Sequence, residues 1–87
     1  MLEYRQELLA KLLQASDETK IESIIKGASN ELIEQGTNKH LIVRFWGRLE
    51  SDINFVLQQG HNEAMQKMLK RALSILNSKR EKLKEQA

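Results

Sequence analysis

The chain has 87 residues, of which 40% are apolar and 30% charged, with a formal charge of +2, no Cys and no Pro. That length supports a modest core and not a deep catalytic cleft between subdomains, and the composition is that of a soluble globular protein. Without Cys there are no disulfides and no cysteine zinc site, and a reducing compartment is permitted.

The start, MLEYRQELLAK, lacks the basic opening and long apolar core of a secretion signal. No apolar run exceeds the three residues 41–43, so no transmembrane span is expected. The expected location is the cytoplasm. Charge is distributed unevenly. Residues 1–36 hold four basic and seven acidic side chains, net −3; residues 61–87 hold seven and three, net +4. The two ends can attract each other within one subunit or between two.

Residues 2–14 read as a first helix. Leu2, Leu8, Leu9, Leu12 and Leu13 recur on one face. Arg5 falls on that face; it is either a buried charge awaiting a carboxylate or, by its position in the first turn, a residue whose guanidinium extends past the end of a bundle. Ser16 is the expected N-cap of a second helix over 17–35. Its stripe is Ile21, Ile24, Ile25, Ala28 and Leu32. Gly27 lies mid-helix, where it marks a close crossing or is simply tolerated. Gly36 fits a C′ position, and Thr37 or Asn38 caps the next helix.

That third helix, over 38–59, holds the only Trp and both Phe residues. Leu41, Ile42, Phe45, Trp46, Leu49, Ile53, Val56 and Leu57 form an arc of roughly 160°, wide enough to need cover from two sides. Arg44, Gly47, Ser51, Asn54 and Gln58 are expected to face water. Phe55 lies outside the arc, among Arg44, Arg48 and Asp52. Such a residue commonly packs beneath a neighbouring helix or loop. The alternative is a partner-binding surface, where aromatic residues and Arg are enriched. Gly60 ends this helix, and Asn62 caps a fourth over 62–85. Its stripe is Met65, Met68, Leu69, Ala72, Leu76 and Leu83, widened by Leu73 and Ile75. The apolar content then collapses, so 77–87 is expected to fray or project.

The expected fold is all-α: an up-down bundle of four helices in a single domain, with the third helix central. Short links between helices favour antiparallel neighbours.

Little in the chain announces chemistry. His40 and His61 are far apart in sequence, and neither HxxxH nor ExxH occurs, so no metal site is expected. The four Gly residues are isolated, which leaves no phosphate loop. No Ser stands in a nucleophile turn. Glu50 and Asp52, two apart, diverge on a helix and read as a solvated face. No catalytic residue and no cofactor are expected. Met65 and Met68 read as gap-filling core rather than an adaptable groove.

The expected role is therefore a non-enzymatic protein–protein interaction or regulatory module that self-associates, with Arg44, Arg48 and Phe55 at a homodimer contact. A second, unidentified protein is the other candidate partner. The alternative is weak nucleic-acid binding through Lys67, Lys70 and Arg71 on the last helix, where interleaved Glu63, Glu81 and Glu85 dilute the field. A four-helix pattern alone is shared by unrelated functions.

Overall fold

The computed structural model describes residues 2–60 and 62–85, without the side chain of Leu2. Four helices account for nearly all of it: α1 (Leu2–Gln14), α2 (Glu18–Glu34), α3 (Lys39–Leu57) and α4 (Glu63–Glu85). They pack as a compact bundle.

The helix ends follow from local chemistry. The N-cap of α2 is Asp17, not Ser16: its Oδ1 accepts from the Lys20 N–H at 2.9 Å. Asp caps as well as Ser and adds a negative charge at the positive end of the helix dipole. Asn38 accepts from the His40 N–H at 2.8 Å and Asn62 from the Met65 N–H at 2.8 Å. After α2 the chain closes a Schellman turn: the Thr37 N–H reaches the Leu32 carbonyl and the Gly36 N–H that of Ile33. Gly36 sits at φ 74°, which only glycine adopts without strain.

The core joins Leu8 and Leu12 of α1, Ile21, Ile25, Ala28 and Leu32 of α2, and Leu69, Ala72 and Leu76 of α4 to the largest group, from α3. That group is Ile42, Phe45, Trp46, Leu49 and Ile53. The arc of α3 is covered by α4 along one flank and α1 along the other. Tyr4 of α1 stacks on Phe45 with ring centroids 5.8 Å apart, and Phe45 meets Trp46 edge-on at 5.3 Å. Met65 and Met68 pack partly buried against this core.

Three expectations about placement are corrected. The link between α2 and α3 is short, yet those two helices touch least of all pairs; α2 packs on α4 and α1 instead. Leu41, expected on the buried arc, is 51% exposed at the arc's edge. Gly47, expected to face water, is half-buried: the far end of α4 brings the Arg80 guanidinium to 3.8 Å from where a Cβ would stand. The last helix, expected over 62–85 with its end frayed or projecting, is α4, in which Arg80 and Leu83 are half-buried. Residues 86 and 87 lie outside the described residues, as does His61.

A Cβ at Gly27 meets nothing within 4 Å, so no close crossing requires this glycine. Gly27→Ala should raise stability by about 0.5–1 kcal/mol in urea unfolding, the difference in helix propensity. A loss of stability would reveal a neighbour that the open space here does not contain.

Candidate functional site

The exposed strip of α3 is the candidate site. At 3.6 residues per turn, Leu41, Arg44, Arg48 and Phe55 fall within roughly 60° of one another. All four are exposed, and Phe55 is 64% accessible, so it does not pack beneath a neighbouring helix or loop. Leu41 and Phe55 stand about 21 Å apart along the axis, at about 1.5 Å per residue. The two arginines lie between them. The strip thus has apolar ends and a cationic middle, on the helix whose opposite side supplies the largest part of the core. Ile33, 60% exposed, is a further uncovered aliphatic side chain, on α2.

Two interhelical ion pairs hold α3 to its neighbours, one at Asp52 beside the strip and one at Glu50 about a third of a turn beyond it. On the α1 side the Arg5 Nε–H donates to Asp52 Oδ2 at 2.7 Å, partly buried. Arg5 thus finds a carboxylate instead of extending past the bundle, because α1 lies against the flank of α3 that presents Asp52. On the α4 side Arg80 Nη1 comes within 3.4 Å of Glu50 Oε2. Glu50, read as solvated, has a side chain only 14% exposed. The pair makes no hydrogen bond. Glu50 Oε2 and Arg80 Nε are both buried without a partner, while another guanidinium nitrogen, Nη2, donates to Asn77 Oδ1 at 3.0 Å. Burial pushes the Glu50 carboxyl above its ordinary 4.5, against the pull of Arg80 and then Lys84 and with a small push from Glu81. An open groove is lined by Lys39, His40, Val43, Arg44, Leu83 and Lys84.

Tyr4 anchors α1 to α2 on the far side. Its hydroxyl donates to Glu31 Oε2 at 2.8 Å. Burial first, then the hydrogen bond to Glu31 and the charges of Glu31 and Glu7, raise its pKa to about 12.

The basic face of α4 is less concentrated than its composition implies. Arg71 Nη2 donates to Glu22 Oε1 of α2 at 2.8 Å, the acidic first half meeting the basic last helix within one chain. Lys67 and Lys70 are exposed and share an open surface with Glu63, Ala64 and Gln66. Among the described residues no three His, Cys, Asp or Glu side chains come together as metal ligands, and no helix is long and apolar enough to cross a membrane.

Sequence periodicity placed Arg44, Arg48 and Phe55 on one face but assigned Leu41 to the core. The signal for Leu41 was its place at the edge of the arc, in a first turn that needs a neighbour to cover it.

The raised Glu50 pKa fixes a sign. A carboxyl that binds its proton more tightly in the fold contributes stability below the ordinary 4.5, and that contribution is lost as pH rises through the folded value. Wild type should therefore lose stability relative to Glu50→Gln as pH rises above the ordinary 4.5 in urea unfolding. A relative gain would show that Arg80 outweighs the burial.

Comparison with protein-family models, with curated proteins and with solved structures finds no match, so the functional reading rests on this surface.

Proposed function

We propose that the chain is a non-enzymatic interaction module that self-associates through the exposed strip of α3. The observation that carries this reading is Phe55, 64% exposed and in line with Leu41, Arg44 and Arg48. Large aromatics exposed beside Arg are the composition of contact surfaces, where Lys is depleted. A second copy is the proposed partner. Closed two-fold dimers are the commonest assemblies, and the chain's own acidic surface, including the exposed Glu3 and Glu7 of α1, offers charge opposite to the strip. The proposed setting is the cytoplasm, which a chain without Cys permits.

Size sets the expected strength. A standard interface takes about 800 Å² from each partner, and the described surface totals 5772 Å². One helical strip supplies less than that, so the contact belongs with small, reversible interfaces. Nucleic-acid binding through Lys67, Lys70 and Arg71 is the weaker reading, because Glu22 already engages Arg71 and Glu63 shares the surface of the two lysines.

Sedimentation equilibrium should show wild type moving from monomer to dimer as concentration rises through the micromolar range. Phe55→Glu should stay monomeric while keeping its helical circular dichroism. A wild-type monomer at high micromolar concentration, or a dimer indifferent to Phe55→Glu, contradicts the reading.

A further inference from the structure

Resting on that self-association reading, we infer that two copies pair their α3 helices antiparallel, with Arg48 on the two-fold axis. The spacing of the strip supports this register. Leu41 and Phe55 lie seven residues to either side of Arg48, and Arg44 and Asp52 lie four to either side. In an isologous contact, residue i meets residue j and j meets i. Centring the axis on Arg48 therefore sets Leu41 against the partner's Phe55 at both ends. It also brings Arg44 to the partner's Asp52 twice.

A parallel pairing is worse by its charges. It places Arg44 against Arg44, Arg48 against Arg48 and Asp52 against Asp52, three like-charged layers with no opposing one. The antiparallel register has a single like-charged layer and two attractive ones. In that layer the Arg48 stems can lie on apolar surface while their heads stay in water. Asp52 remains available: Arg5 donates to its Oδ2, and a carboxylate accepts at both oxygens. The two apolar contacts match a large aromatic to a smaller aliphatic chain, which fills space better than facing two Phe rings at one end and two Leu side chains at the other.

The absence of native Cys makes the register directly readable. Single-cysteine variants of the full chain are oxidised and run without reductant. Helix axes 8–10 Å apart put facing Cβ atoms within disulfide reach. Arg48→Cys should cross-link with itself. Leu41→Cys and Phe55→Cys should each stay monomeric alone and cross-link when mixed. Arg44→Cys mixed with Asp52→Cys reads the same register while leaving both apolar contacts intact. Self-linking of Leu41→Cys and of Phe55→Cys, without preference for the mixture, overturns the antiparallel register in favour of the parallel one. A wild-type dimer with no cross-link in any combination overturns the register but leaves self-association standing. A wild-type monomer by sedimentation removes both.

Discussion

Everything in this bundle depends on covering one side of α3. Trp46, Leu49 and Ile53 are fully buried there, with Ile42 and Phe45 nearly so. A side chain such as Trp removes 150–250 Å² from water, worth about 4–6 kcal/mol at about 25 cal/mol per Å². The indole Nε1–H of Trp46 is buried without an acceptor, which costs about 1–3 kcal/mol. Apolar burial exceeds that cost, so Trp46 stays inside. The other helices are arranged accordingly: α4 and α1 take the two flanks of α3, and α2 closes the bundle over α4 and α1.

That arrangement also creates the candidate site. With α1 and α4 on its flanks and α2 elsewhere, the fourth side of α3 has no neighbour. It carries Leu41, Arg44, Arg48 and Phe55, with the exposed Ser51, Asn54 and Gln58 beside them. Two ion pairs tie α3 to its neighbours: Asp52 to Arg5 beside the strip, and Glu50 beside Arg80 about a third of a turn farther round. The two pairs differ. The first is a short hydrogen-bonded contact. The second is an attraction at 3.4 Å that leaves buried polar atoms unsatisfied, and burial makes that carboxyl hold its proton more tightly than in water.

Much of this was legible in the sequence. Helix extents followed from caps and glycines, and the stripes of α2 and α4 followed from spacing, since both signals act within a few residues. The rest depended on which helices become neighbours. Leu41 lies at the edge of the arc by angle, and whether a neighbour covers an edge position is decided by tertiary packing. Glu50 reads as a solvent-facing charge and Arg5 as a charge whose partner is unspecified, because nothing local names Asp52 or Arg80 across 47 and 30 positions of chain. Ser16 and Asp17 are equally good caps one residue apart, and propensity does not choose between them. Phe55 was visible as a misfit on a polar face; whether a neighbour covered it was a question of tertiary structure.

The central claim is that α3 is core on one side and contact surface on the other. Amide chemical shifts of the isotopically labelled wild-type chain, followed over a wide concentration range, test it most directly. The account predicts concentration-dependent shifts at Leu41, Arg44, Arg48, Ser51 and Phe55, with the Trp46 indole unmoved. Shifts that stay constant at all concentrations, or that move only along the Lys67–Arg71 face, would contradict it.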